Sequence, residues 1–130
     1  MKRAEQKAAG LSERFESLIH TIRGPITMLD IQSRVTVANE PLCRLLGIRC
    51  EQTVGKPLVE IAGGRLDIPQ IRKALDQVVQ HGGNVADLEV SCELPQIGRR
   101  VLCVNATRLD HGDGAAGSVV VSLEDVTKPR

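Results

Sequence analysis

The stretch Ser118-Val119-Val120-Val121-Ser122-Leu123-Glu124-Asp125-Val126-Thr127 decides how this chain folds. Val119, Val121 and Leu123 alternate with Val120, Ser122 and Glu124, and the first half is apolar on both sides. That is the pattern of a strand buried on two faces. The second half turns acidic and stops before Pro129. So apolar a strand belongs inside a sheet, because at an edge its unpaired rim would invite association. The last strand is therefore expected to be the central one, with the chain leaving the domain directly from it. Such wiring suits a module that reports its internal state to something attached downstream.

Upstream of this strand, Asp110-His111-Gly112-Asp113-Gly114 reads as a hairpin turn, and Arg99 to Leu109 as a long strand. Gln96-Ile97-Gly98 is a second turn. Before it Leu88, Val90, Cys92 and Leu94 alternate with Asp87, Glu89, Ser91 and Glu93, a strand with one wet face near a sheet edge. Further back the period changes to that of a helix. Ile68, Ile71, Leu75, Val78 and Val79 mark one apolar face; Asp67 is its expected N-cap, Pro69 lies in the first turn, and His81-Gly82-Gly83 closes it.

The first third of the chain adds a hairpin and short helices. Gly24-Pro25 breaks an N-terminal helix, Pro25 to Asp30 reads as one strand, and Arg34 to Ala38 as a second with Val35 and Val37 inward. Asn39 fits an N-cap and Pro41 the first turn of a helix carrying Leu42, Cys43, Leu45 and Leu46, which Gly47 ends. A structural role for Asn39 outweighs a ligand role. Glu51 to Val54 forms one more turn, Gly55-Lys56-Pro57 breaks it, and Leu58 to Ala62 is another short helical piece before Gly63-Gly64. Residues 2 to 22 read as an amphipathic helix with Leu11, Phe15, Leu18, Ile19 and Ile22 on one stripe, weakened at Gly10. The stripe packs on its own sheet in the plainer reading, and also on a second copy in the sharper one.

Composition bounds the function. A chain of 130 residues suits one domain with a real core, and 42% hydrophobic with 25% charged residues is ordinary for a globular protein. Phe15 is the lone aromatic, so the core must be aliphatic and a flavin or base-stacking site lacks its usual platform. Seventeen Lys and Arg against sixteen Asp and Glu advertise neither nucleic acid nor an anionic membrane. No run is long and apolar enough for a span or a signal peptide, so the chain is read as cytoplasmic. Cys43, Cys50, Cys92 and Cys103 show no CxxC spacing, and three of them sit in apolar patterns. That argues for buried thiols and against a zinc site or a disulfide framework.

Three motifs then carry a resemblance. Val37-Ala38-Asn39-Glu40-Pro41, Val54-Gly55-Lys56-Pro57-Leu58 and Glu124-Asp125-Val126-Thr127 stand in the order, and between the elements, that resemble a PAS domain from Ile22 to Thr127. Leu66-Asp67-Ile68-Pro69-Gln70-Ile71-Arg72 and Ile97-Gly98-Arg99-Arg100-Val101-Leu102-Cys103-Val104-Asn105-Ala106 look like a subtype found in bacterial sensor histidine kinases and chemotaxis methylesterase/methyltransferase fusions. The resemblance implies an α+β fold: a five-stranded antiparallel sheet of order 2-1-5-4-3 with short helices on one face. It implies a dimerisation helix over 1–23, a PAS domain over 24–127 and the start of a linker to an output domain over 128–130. It also makes Glu124, Asp125 and Thr127 the place where signal leaves, and implies a homodimer whose Leu11, Phe15, Leu18 and Ile22 form the contact.

Relatives of this kind hold haem, flavin or small metabolites between sheet and helices. The flavin-photosensor branch needs a reactive Cys after Gly-Arg-Asn, and here Leu58 stands in that place, so flavin is disfavoured. Haem would hang on a His; His81 ends its helix, His20 lies on the N-terminal helix and His111 in a turn, so haem is disfavoured too. No cofactor and no metal are predicted. An unidentified small molecule in an aliphatic pocket is the ligand class left, with Leu46, Ile61, Leu75, Val78, Leu88, Val90 and Cys103 as lining. Arg72 and Asn105, with Thr107 and Arg100, are the nearest polar groups. The competing reading is ordinary core and surface with no ligand. Catalysis fares worse: Gly112-Asp113-Gly114 is turn chemistry, and a turn cannot hold Asp110, His111 and Asp113 in a working geometry. No Ser or Cys sits on a nucleophile elbow, and Asp125 reads as an ion-pair partner rather than a base. The chain is thus expected to be a sensory transmission module and no enzyme itself, or else a ligand-free dimerisation domain.

Overall fold

Five strands form one antiparallel sheet in the order β2-β1-β5-β4-β3: β1 Ile26–Asp30, β2 Val35–Ala38, β3 Asn84–Leu94, β4 Gly98–Leu109 and β5 Ser118–Asp125. The structure is a computed structural model, and it describes residues 18–19, 21–94, 97–109 and 117–127. The expectations for residues 1–17 (Leu11 and Phe15 among them), for His20 and Gln96, for the turn over Asp110 to Gly114 and for 128–130 lie outside these residues. Between the hairpin β1–β2 and the β3–β4–β5 meander run the helices α1 (Glu40–Leu46) and α2 (Pro69–His81), with 3-10 turns at Cys50–Gln52 and Leu58–Gly64.

β5 is central because its side chains are wanted on both faces. Val119, Val121 and Leu123 are buried against the helices, while Val120 and Ser122 are half-buried on the opposite face. Its neighbours pair along its length, Met28 with Val120 and Leu29 with Val119 on one side, Val104 with Leu123 and Ala106 with Val121 on the other. The apolar run thus has main-chain partners on both edges and side-chain cover on both faces. β3, with its charged alternate residues, lies at one edge.

The core fills the space between the sheet and the helices. Leu29, Leu42, Leu46, Leu58, Leu66, Val78, Leu102, Val119 and Leu123 are each 1% exposed or less in one cluster. Full burial of one such side chain contributes about 1.5–3 kcal/mol. A smaller cluster on the opposite face joins Ile19, Met28 and Val37, with Ile26 and Val120 against it. Leu18, Ile19 and Thr21 are helical, and the Ile22 amide donates to the Leu18 carbonyl at 3.2 Å, so the last turn of the expected N-terminal helix is present. Ile19 is the residue that seats it on the sheet.

α1 starts and stops as its sequence dictates. The Asn39 side chain accepts from the Leu42 amide, Pro41 sits in the first turn, and Gly47 adopts φ 67, the left-handed cap that costs a residue without Cβ little. The segment after it covers the free edge of β2. The Val35 amide donates to Lys56 O at 2.9 Å, the Gly55 amide to Val35 O at 2.7 Å and the Leu58 amide to Ser33 O at 2.9 Å. An otherwise unpaired rim is thereby closed, and Gly55 makes the required φ of 91.

Three readings of the sequence are corrected. Val35 and Val37 do not share a face: Leu29 opposes Val35 while Met28 opposes Val37, so Thr36 is an extra residue in the register, and Val37 turns to the Ile19 side. Asp67 does not cap α2. Ile68 is the N-cap with no side-chain bond, because the Asp67 carboxylate is taken by the Arg72 guanidinium. Cys43 and Cys50 are joined in a disulfide, against the expectation of free thiols. The left-handed turn at Gly47 folds the chain back, so two Cα atoms seven residues apart come to 5.7 Å without any CxxC spacing. Cys92 and Cys103 are free and buried.

Candidate functional site

The residues named as pocket lining separate onto two faces. Leu46, Ile61, Leu75, Val78 and Val90 are buried in the main cluster, and Leu88 packs against it half-buried. Helical spacing on α2 and alternation on β3 bring them together, as the sequence patterns require. Cys103 and Asn105 do not join them, which corrects the expected lining. On β4 they alternate with Leu102, Val104 and Ala106, which face the core, so their own side chains point to the other face. There Asn105 Nδ2 lies 3.8 Å from Cys103 Sγ, and Asn105 Oδ1 accepts from the Asp87 amide at 2.9 Å. Burial pushes the Cys103 thiol up, and the Asp87 carboxylate adds to it. The sequence misplaced them because a strand apolar at four successive positions, Val101 to Val104, does not reveal which parity faces inward.

Arg72 is corrected too. Its side chain is 58% exposed and its guanidinium engages Asp67 through both Nε and Nη2, so it lies on the outside of α2. The Asp67 hydrogen bond raises the guanidinium further, and the same bond lowers the carboxyl. Polar groups gather instead in an open cleft of about 380 Å³ between the end of α1 and the two 3-10 turns, where Arg49, Gln52, Lys56 and Glu60 line the walls beside Ile48 and Ile61.

Among the described residues the middle of the core is closely packed around three leucines. Leu46 and Leu66 are 0% exposed and Leu58 1%. A void beside these three side chains would leave accessible area on them, so a ligand in contact with them must displace them. Leu58 stands at the start of its 3-10 turn, inside the core, and offers no thiol. His81 sits exposed in the last turn of α2, away from the core cluster. Among the described residues no group of three or more His, Cys, Asp and Glu is placed to hold a metal ion, and no helix is long and apolar enough to cross a membrane.

The exit from β5 is tied to β4. The Val126 amide donates to Val101 O at 2.9 Å, and the Thr127 hydroxyl accepts from the Val101 amide at 2.8 Å. Asp125 Oδ1 accepts from the Thr127 amide at 3.0 Å, and Oδ2 lies 3.6 Å from Arg100 Nη1. The Thr127 hydroxyl first, then its amide and the Arg100 charge, hold the Asp125 carboxyl below the ordinary carboxylate range against an opposing desolvation. Asp125 is thus an ion-pair partner, as its sequence context indicated, while Glu124 is exposed.

Asn39 is the residue whose reach the sequence did not show. It is 0% exposed. Its Oδ1 accepts from the Leu42 amide and the Ile26 amide, both at 3.1 Å. Its Nδ2 donates to Ile19 O at 3.3 Å, Ile22 O at 3.1 Å and Gly24 O at 2.7 Å. One side chain therefore caps α1, starts β1 and collects the carbonyls that end the N-terminal helical turn. The N-cap was legible from Asn-Glu-Pro; the hold on residues 19–24 depends on a contact across the fold.

Comparison with known proteins agrees with this architecture. No curated protein matches the chain. Among solved structures it is similar to the Rhodobacter sphaeroides LOV protein, at TM-score 0.73 and 13% identity over 89% of this chain and 67% of that one. It is similar to an RNA-binding light-oxygen-voltage receptor, at TM-score 0.72 and 18% identity over 92% of this chain but 33% of that one, so it spans a third of that receptor. The PAS domain of Bordetella pertussis BvgS matches at TM-score 0.64 and 14% identity, over 91% of this chain and 87% of that one. At these identities the likeness is one of fold, and the presence of light-oxygen-voltage receptors gives the expectation against flavin no support. The PAS fold model matches residues 13–126, nearly the whole chain. The chain belongs to the PAS fold family.

Proposed function

We propose that this chain is the sensory and signal-transmitting module of a bacterial signalling protein, regulating a C-terminal histidine kinase or related output domain through rearrangement of a dimer and its strands. The observation that carries the reading is the exit of β5: the central strand runs out through Asp125, Val126 and Thr127, all three bonded back to Arg100 and Val101 of β4. A shift of the sheet's middle is thereby passed to whatever follows. The dimer part of the reading is supported by Leu18 at 58% and Ile22 at 41% exposure, which leave one side of the N-terminal stripe uncovered beside the seated Ile19. In this reading the chain carries no catalysis of its own, works in the cytoplasm, and meets neither nucleic acid nor a membrane interior. In a full-length protein, Asp125→Ala should leave the domain folded while output no longer follows the stimulus; an unchanged response would remove the exit from the mechanism.

A second reading, a ligand-free dimerisation domain, is favoured by the full burial of Leu46, Leu58 and Leu66. Native mass spectrometry of the purified chain separates the two, since a co-purifying small molecule speaks for the sensor. Visible absorption decides flavin: a bound flavin would be held without a cysteinyl adduct, because Leu58 replaces the thiol.

A further inference from the structure

The Cys43–Cys50 disulfide is a chemically reactive group that the sensory reading leaves unused. Three observations make it more than a staple. It lies on the wall of a surface cleft of about 470 Å³, lined also by Ala38, Glu40, Arg44 and Ile48. Cys50 is only half-buried, whereas Cys43 is 4% exposed, so an incoming reagent meets the Cys50 sulfur first. And both cysteines abut the main chain of Asn39: the Cys43 amide donates to Asn39 O at 3.2 Å, and Cys50 Sγ lies 3.6 Å from the same oxygen. The side chain of that residue is what holds the carbonyls of Ile19, Ile22 and Gly24.

We propose that Cys43–Cys50 is a reversible redox site whose substrate is a dithiol, and that its state sets how firmly Asn39 holds the N-terminal segment. A dithiol thiolate attacks Cys50 Sγ, the Cys43–Cys50 bond breaks, and Cys43 leaves as a thiolate that takes a proton. The second thiol of the reagent then attacks the mixed disulfide, releasing Cys50 as a thiol and the reagent as its cyclic disulfide. Two electrons and two protons pass to the protein, and the reverse exchange returns them. In the oxidised state Cys50 has no hydrogen to offer Asn39 O. In the reduced state its thiol becomes a donor at that oxygen, while the cross-link between α1 and the following turn is gone. Both changes fall on Asn39, whose side chain bonds the carbonyls of Ile19, Ile22 and Gly24, so the loss of the cross-link is felt at the entry to β1. The inference deepens the sensory reading by naming one input. Its assay is read on this chain without an output domain, so either can fail while the other stands.

The test is hydrogen exchange on the full 130-residue chain before and after dithiothreitol, with alkylation and peptide mass to score each cysteine. Expected are two alkyl groups, at Cys43 and Cys50, an unchanged far-ultraviolet dichroism, and several-fold faster exchange over Ile19 to Gly24. Re-oxidation of a reduced, unalkylated sample should make both cysteines resistant to alkylation again and return residues 19–24 to slow exchange. The double variant Cys43→Ser, Cys50→Ser should stay at the fast rate whatever the redox buffer. The proposal is overturned if the pair resists excess dithiothreitol in the native chain, if reduction unfolds the domain, or if residues 19–24 exchange alike in both states.

Discussion

The side-chain amide of Asn39 donates to the main-chain carbonyl of Gly24 at 2.7 Å, joining the residue after β2 to the segment that enters β1. The contact is partly buried, as is the bond that Asn39 Oδ1 accepts from the Ile26 amide, while the one it accepts from the Leu42 amide is fully buried. Two amide hydrogens shared among three carbonyls, and one oxygen shared between two amides, make this side chain the junction of the N-terminal turn, β1 and α1.

Asn39→Ala is therefore expected to cost about 3 kcal/mol, because it strands buried donors and acceptors as well as removing a helix cap. Asn39→Asp keeps the acceptor for Leu42 and Ile26 but turns an anionic oxygen toward the carbonyls of Ile19, Ile22 and Gly24, and should be at least as damaging. Urea unfolding measures both; a loss under about 0.5 kcal/mol for the alanine variant would mean water replaces the network.

The two faces of the sheet should answer differently to truncation. Leu46→Ala removes a fully buried side chain from the main cluster and is expected to cost about 2–5 kcal/mol. Cys103→Ala, on the opposite face, should cost about 1 kcal/mol or less. Equal losses from thermal and denaturant unfolding would put Cys103 back in the core.

The exit motif carries a pH signature. Asp125 has its folded carboxyl held below the unfolded value, so its contribution to stability is present above the unfolded range and is lost as pH falls through the folded value. The β4–β5 end should loosen only in acid below the ordinary carboxylate range. Carbon-13 titration of the Asp125 carboxyl reads this directly, and Thr127→Val, which removes the hydroxyl bonded to that carboxyl, should move the titration back up. A titration unchanged by Thr127→Val would show that the residue-127 amide and Arg100 set it without the hydroxyl.

Association is expected to depend on the uncovered stripe. Leu18→Glu or Phe15→Glu should lower the oligomeric state in light scattering while the fold persists. A monomer for the unmutated chain would remove the homodimer from the proposed function.

Alternation along Val119 to Leu123 and Leu88 to Leu94, the hairpin pattern over Pro25 to Ala38, the apolar run within Arg99 to Leu109 and the helical period over Ile68 to Val79 placed five strands and a central last strand in the sequence, because burial on one or both faces leaves a period that a linear pattern records; the full strand order came from the resemblance to PAS domains. The core positions of Leu46, Leu75, Val78 and Val90 were legible for the same reason. The tertiary structure alone decided which parity of β4 faces inward, the turning of Val37 by the extra Thr36, the pairing of Cys43 with Cys50 around Gly47, and the hold of Asn39 on Gly24. Each of these depends on the register of one strand against another or on a chain reversal, and those geometries are set by partners distant in sequence.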